Sequence, residues 1–352
     1  MISNLKDILD FSKQIYKYYN GQIKIRELPK FYWIEPTNHC NLQCIMCPNK
    51  EIKNKGIMDF ELFKKIIDEI KQSAKSVFLF GGGESLINKN ICYFIEYCKK
   101  NQIRPLLHTN AVLLSNELSI NLIKSGLNYI SFSFDGYDKK NYERIRANAN
   151  FERTLENIII FLKKNKEAQK KVYTVFQVMI DKDYDFTDFE KQKQKMIKLL
   201  KENYIDEIVE KRPHDFGGYY NDNNFINKNK KYVCAYFWTT MMIRYDGSIS
   251  PCCVDITGDI TMGNANQNSI TEIWNNNKYL DFRNKMFKLE MDGLPKKCST
   301  CFNMYRKKTL CFPSGTESIF GQLLINIFGN KIEYYLKKTA SIFNPEILYK
   351  NV

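Results

Sequence analysis

Between residues 31 and 209 the chain alternates between two hydrophobic periods. Short compact apolar runs at residues 31–35, 76–80, 103–108, 129–134, 171–180 and 206–209 read as strands. Between them, residues 60–70, 91–100, 116–125, 151–164 and 188–202 carry apolar side chains at helical spacing. The clearest of these sets Phe60, Phe63, Ile66, Ile67 and Ile70 on one helix face, with Asp59 placed to cap its start. A further helical stretch, residues 3–19, precedes the first strand.

Six strands with a helix between each and the next predict a parallel sheet with right-handed crossovers. The expected fold class is α/β, a partial (β/α)6 TIM-like barrel. Chemistry in such sheets gathers at the C-terminal strand ends, and the unusual residues fall there. They are a cysteine loop after the first strand, Gly81-Gly82-Gly83 after the second, Thr109-Asn110 after the third, Asp135-Gly136 after the fourth and His214 after the sixth. The pattern breaks at about residue 220 into a polar stretch and then a cysteine-rich region. The expected organisation is an N-terminal helical segment (1–30), the barrel (31–220), a small cysteine-rich domain with a β-hairpin (221–312) and a C-terminal helical tail (313–352).

Composition narrows the chemistry. The first helical stretch carries Lys6, Asp7, Asp10, Lys13 and Lys17, which excludes both a signal peptide and a membrane span there. Eleven cysteines without an export signal point to the reducing cytoplasm, where thiols stay available to metals. The net charge of +14 raises nucleic acid as a partner, but the lysine runs lack interleaved aromatics, so they read as solvated helix faces. The tail carries an apolar stripe of Ile319, Phe320, Leu323, Leu324, Ile327 and Phe328. It is too short and interrupted to span a bilayer, and docking onto the barrel or a partner is favoured over contact with a membrane surface.

Cys40, Cys44 and Cys47 form CxxxCxxC in one short loop. Three thiolates at that spacing can reach three irons of a 4Fe-4S cube and leave the fourth iron open to a small molecule. Zinc fits poorly, because it wants four ligands and His39 is badly placed to supply one. In the second region Cys234 and Cys252 flank a hairpin whose turn is Asp246-Gly247, and Cys298 and Cys301 supply a CxxC. That two-plus-two set suits zinc or a cluster by ligand count alone. Cys253 and Cys311 are alternative ligands or buried hydrophobes, and Cys92 and Cys98 read as core.

With these features the chain resembles the radical SAM superfamily, in which the open iron is chelated by the methionine moiety of S-adenosylmethionine (SAM). Gly81-Gly82-Gly83-Glu84 matches the family's glycine-rich motif, with Ser85 where proline is usual. Thr109-Asn110 with Leu113 and Leu114 is similar to the segment ending the third strand, with Ala111 replacing glycine. The resemblance implies that Gly81, Gly82, Gly83, Glu84, Thr109, Asn110, Ser133 and Arg146 contact SAM, with Ser133 and Arg146 at its ribose and carboxylate. Ser131, Ser133 and Asp135 alternate on one face of the fourth strand, and Gln177 interrupts the fifth. Gln177 and His214 are the candidates for substrate or SAM contact. The hairpin, Asp255, Gly263-Asn264 and the terminal CxxC resemble a SPASM/twitch domain, which implies one auxiliary 4Fe-4S cluster on Cys234, Cys252, Cys298 and Cys301.

The resemblance further implies an enzyme that reductively cleaves SAM and abstracts hydrogen from a substrate, fed by a flavodoxin or ferredoxin-type donor. The expected net reaction is oxidation of a small molecule such as a sugar or cyclitol, because some 30 residues before the first strand are too few for an independent leader-binding domain. Peptide modification and epimerisation are the alternatives within the family. A non-catalytic iron-sulfur redox sensor or scaffold is the alternative outside it.

Overall fold

In the computed structural model, which describes residues 2–220, 231–301 and 304–305, the two periods separate into a sheet and its covering helices. After helix α1 (Ile2–Tyr19), strands β1 (Phe31–Ile34), β2 (Ser76–Leu79), β3 (Arg104–Thr109), β4 (Tyr129–Ser133), β5 (Tyr173–Met179) and β6 (Glu207–Lys211) pair in chain order, all parallel. The connections carry α2 (Phe60–Ile70), α3 (Ile91–Lys100), α4 (Asn116–Lys124), α5 (Lys139–Ile145), α6 (Phe151–Glu167) and α7 (Phe189–Glu202). Helix α5 is not among the sequence expectations.

Helices α2, α4, α5 and α6 are each started by a capping side chain and buried along one face. The Asp59 carboxylate accepts from the amides of Glu61 and Leu62, and α2 then buries Phe63, Ile66, Ile67 and Ile70 completely. Burying each such side chain contributes roughly 1.5–3 kcal/mol. Phe63 stacks on Phe94 of α3 with ring centroids 3.9 Å apart, and Phe161 of α6 meets Phe132 of β4 edge-on at 5.5 Å.

Strand side chains alternate between faces, and the parallel register aligns them in rows. Leu79, Leu107 and Ile130 form one row toward the helices, and Phe132, Phe176 and Ile208 another, all buried. The opposite face is mixed. Trp33 stacks on Phe78 at 4.9 Å and Phe80 on His108 at 4.2 Å, while Ser133 pairs in register with Gln177.

The sheet continues past β1. Strand β7 (Thr240–Ile243) pairs parallel to β1, β8 (Ser248–Ser250) returns antiparallel and β9 (Gly263–Asn264) completes a nine-stranded order, β6-β5-β4-β3-β2-β1-β7-β8-β9. The expected hairpin forms, and Gly247 at its turn takes φ +80°, a left-handed conformation suited to glycine. Its first strand joins the barrel sheet directly, which satisfies the backbone groups on the otherwise open edge of β1.

Helix α8 (Tyr236–Thr239) leads into β7, and α9 (Ile270–Trp274), α10 (Asn277–Lys288) and α11 (Lys296–Thr300) follow β9. The N-terminal segment is tied to this region. Tyr18 donates to the Val233 carbonyl at 2.8 Å, Trp238 to Gln22 at 2.9 Å and Trp274 to Glu27 at 3.0 Å. Arg283 is fully buried there, over the Trp274 ring at 4.1 Å, and donates to the carbonyls of Phe237 (2.8 Å) and Ile23 (2.9 Å). The expected C-terminal tail and Cys311 lie outside the described residues. Among the described residues no helix is long and apolar enough to cross a membrane.

Candidate iron-sulfur and SAM site

β1 leads into the loop carrying Cys40, Cys44 and Cys47, all partly buried. The Cys47 amide donates to the Cys44 carbonyl at 3.0 Å, a tight turn that brings those two residues together. Side chains brace the loop. Asn49 donates to the carbonyls of Asn38 (2.8 Å) and Gly82, and Asn110 donates to the Asn41 side chain at 2.9 Å. The amides of Gln43 and Ile45, on either side of Cys44, donate to the carbonyls of Ala147 (3.2 Å) and Ile145 (3.1 Å). Burial pushes the Cys40 thiol up to about 11, with Glu84, Cys44 and Cys47 adding to the rise, and burial also raises Cys47. Thiols held protonated by desolvation are ligands that a metal deprotonates as it binds.

The glycine run lies against this loop. A Cβ on Gly83 would stand 2.3 Å from the His39 carbonyl oxygen and 2.6 Å from that of Thr37, so only glycine allows this approach. The Gly82 amide donates to Glu35 Oε1 at 2.7 Å. Glu84 is buried and ties two strand ends together. Its Oε1 accepts from Thr109 Oγ1 (2.7 Å) and the Leu86 amide (3.1 Å), and its Oε2 from the Asn110 amide (2.7 Å). Burial nevertheless raises its pKa, against the lowering by those donors and by Arg146. Ala111, where the resemblance expects glycine, adopts φ +60°, so the left-handed turn is kept at some steric cost.

Arg146, just past α5, reaches back to the cysteine loop. Its Nη1 donates to Cys44 Sγ at 3.3 Å, and its Nη2 forms an ion pair with the fully buried Asp135. Burial opposes the guanidinium charge, but Asp135 and Cys44 outweigh it and keep the group protonated. Gln177 Oε1 accepts from Lys211 Nζ at 2.7 Å, so an ammonium from β6 stands next to the Ser133–Gln177 pair. His108 is held neutral, its pKa pushed down to about 3 by desolvation and by Lys211.

The structure thus brings together Cys40, Cys44, Cys47, Gly81, Gly82, Gly83, Glu84, Thr109, Asn110 and Arg146, with Ser133 and Gln177 side by side on the sheet. His214 is engaged by its own loop, where Nδ1 accepts from the Phe216 amide at 2.9 Å and lies 3.3 Å from Asp215. Glu35, Asn41, His108 and Lys211 are missing from the sequence candidates. A histidine and a lysine on the polar face that carries Ser133 and Gln177 were the signal available for the last two.

The second thiol set also converges. Cys234, Cys252, Cys298 and Cys301 line one small cavity together with Phe237, Val254, Ile260, Met286 and Met304. Cys253 is outside that lining. Burial pushes the thiols of Cys234 and Cys298 up to about 11 and about 12, and it also holds Cys252 well above the usual thiol range, with Cys253, Cys298, Cys234 and Cys301 adding to the rise. Thiols are the donor type that a soft metal centre uses, and four of them border this cavity. Asp255 orders the wall by accepting from Ser250 Oγ (2.9 Å) and the amides of Asp259 (3.0 Å) and Ile260 (2.9 Å).

Fold and site together define an α/β protein with two separate groups of thiols, in which no three His, Cys, Asp or Glu side chains of the described residues already stand as a metal-holding group. The family model of the radical SAM superfamily matches residues 34–190, and that of the SPASM iron-sulfur cluster-binding domain matches residues 234–302. The chain belongs to the radical SAM superfamily and carries a SPASM domain; the cofactors of this class are iron-sulfur clusters and SAM.

The chain is 31% identical over 107 residues to the Fe-coproporphyrin III synthase of Methanosarcina barkeri (strain Fusaro / DSM 804), covering 30% of this chain and 27% of that protein. It thus spans about a quarter of that curated relative. The cysteine-type anaerobic sulfatase-maturating enzyme of Clostridium novyi (strain NT) is 24% identical over 373 residues, covering 87% of this chain and 93% of that one. Among solved structures, BtrN in complex with AdoMet and 2-DOIA aligns with a TM-score of 0.54 at 19% identity, over 82% of this chain and 99% of that one. That likeness is one of fold.

Proposed function

We propose that this chain is a SAM-cleaving enzyme that oxidises a small polar substrate. Cys40, Cys44 and Cys47 would hold a 4Fe-4S cluster that leaves one iron for SAM, and Cys234, Cys252, Cys298 and Cys301 would hold an auxiliary cluster. When bound, these groups supply a 5′-deoxyadenosyl radical to abstract hydrogen and an acceptor for the electron left on the substrate, with a flavodoxin or ferredoxin-type protein as the outside donor. The glycine run, packed against Glu35 and the start of the cysteine loop, would border the SAM methionine moiety. Glu84 keeps the ends of β2 and β3 in fixed relation, and Ser133 presents its hydroxyl from β4.

The observation that carries this reading is that the loop bearing Cys40, Cys44 and Cys47 is tied by hydrogen bonds to Gly82, Asn110 and Arg146 at adjoining strand ends, with Asn110 tied in turn to Glu84. The small-substrate reading is supported by the paired Gln177 and Lys211 and the neutral His108, which offer a donor, an acceptor and a ring at close quarters. The sulfatase-maturating relative favours a second reading, modification of a peptide.

A deuterium experiment separates the two. The reconstituted enzyme is given deuterated cell extract divided into a small-molecule and a protein fraction, and the 5′-deoxyadenosine is examined by mass spectrometry. Deuterium from the small-molecule fraction is the expected result. Deuterium only from the protein fraction would overturn the small-substrate reading.

A further inference from the structure

Residues 145–147 form a backbone bracket for the middle cysteine of the loop. The carbonyls of Ile145 and Ala147 accept the amides of Ile45 and Gln43, so Cys44 and Arg146 face each other between two hydrogen bonds, at 3.1 and 3.2 Å. The Arg146 amide is itself anchored to the Tyr142 carbonyl at 2.7 Å, which fixes the bracket to the last turn of α5. From that position the guanidinium divides its fork, with one nitrogen on Cys44 Sγ at 3.3 Å and the other on Asp135. Asp135 is 0% exposed and holds φ +64° in the turn that follows β4.

We propose that Arg146 tunes the reduction potential of the cluster held by Cys44, beyond any contact it makes with SAM. The inference rests on the assignment of Cys44 as a cluster ligand. Hydrogen bonds to the ligating sulfurs and the local charge are among the determinants of an iron-sulfur potential. A charged N–H directed at one ligand sulfur stabilises the form carrying more negative charge, which is the reduced one. The buried Asp135 carboxylate pairs with the other arm of the guanidinium and so keeps it from turning away from Cys44. Lysine retains the charge but cannot span Cys44 and Asp135 with one planar group.

The test is EPR-monitored potentiometry of the reconstituted full chain without SAM. The signal followed is the one that changes when SAM is added to a parallel sample, so that the auxiliary centre is set aside. Arg146→Gln is expected to move the midpoint to more negative potential, lowering the reduced-to-oxidised ratio at a fixed poise about tenfold, which is about 59 mV for one electron. Arg146→Lys is expected to shift it in the same direction by less, and it supplies the reading if the glutamine variant takes up no cluster. An unchanged SAM-free midpoint in the variants that do assemble, with only SAM affinity reduced, would overturn the proposal. Absence of any SAM-responsive signal in the unmodified chain would instead strike at the cluster assignment itself.

Discussion

The Glu84 amide donates to the His39 carbonyl at 2.8 Å, which ties the glycine run to the residue immediately before Cys40. The approach is so close that a methyl on Gly83 would meet the backbone of Thr37, Asn38 and His39. Backbone cannot swing aside as a side chain can. Gly83→Ala is therefore expected to displace the start of the cysteine loop and reduce iron incorporation by more than half while far-UV circular dichroism stays native. Iron loading equal to that of the unmodified chain would show that the loop does not depend on this contact.

Cys298 shares its cavity with Cys234, Cys252 and Cys301. With two cubane clusters the reconstituted chain should bind about eight irons, and Cys298→Ala should bind about four and keep its SAM-responsive EPR signal. Zinc in place of the second set of irons, found by elemental analysis of anaerobically purified protein, would return these cysteines to a structural metal site.

Glu35 links β1 to both neighbours through the Gly82 amide (2.7 Å) and the Tyr245 amide (3.3 Å). Burial raises its pKa in the folded chain, outweighing the lowering by Arg244 and by those two amides. A carboxyl with a raised folded pKa contributes stability that is full below its unfolded value and is lost as pH rises through the folded one. Glu35→Gln keeps an acceptor for Gly82 and never ionises. Its stability relative to the parent should therefore become more favourable as pH rises above the ordinary carboxylate range, in urea unfolding of the metal-free protein. A difference that does not vary with pH would contradict this.

Arg283 joins α10 to the N-terminal segment and to α8 without exposure to solvent. Arg283→Ala leaves the carbonyls of Phe237 and Ile23 without their donor and a cavity beside Trp274, and is expected to destabilise the protein by about 3–5 kcal/mol. Denaturant midpoints measure the loss. A change below about 1 kcal/mol would show that water replaces the side chain.

Much of the barrel was legible because its signals are local. The six strands and the five long helices between them rest on periodicity within single windows, and Asp59 caps α2 where its position predicts. Helix α5 escaped because its seven residues offer only Tyr142 and Ile145 as apolar positions; the Asp138 cap, which accepts from the Asn141 amide at 2.9 Å, was its one local sign. The union of β7 with β1 joins segments some two hundred residues apart, and no window contains it. The cysteines were legible by spacing. The pairing of Arg146 with Cys44 was not, because it depends on how the turn after α5 folds back across the loop. His214 drew attention as a histidine at a strand end, and its Nδ1 accepts from the Phe216 amide.

The central claim is that the loop of Cys40, Cys44 and Cys47 supports reductive cleavage of SAM. Its most direct measurement is 5′-deoxyadenosine released when anaerobically reconstituted enzyme is mixed with SAM and a strong reductant. Product is expected from the unmodified chain and none above background from Cys44→Ala. No product from the unmodified chain, or equal amounts from both, would contradict it.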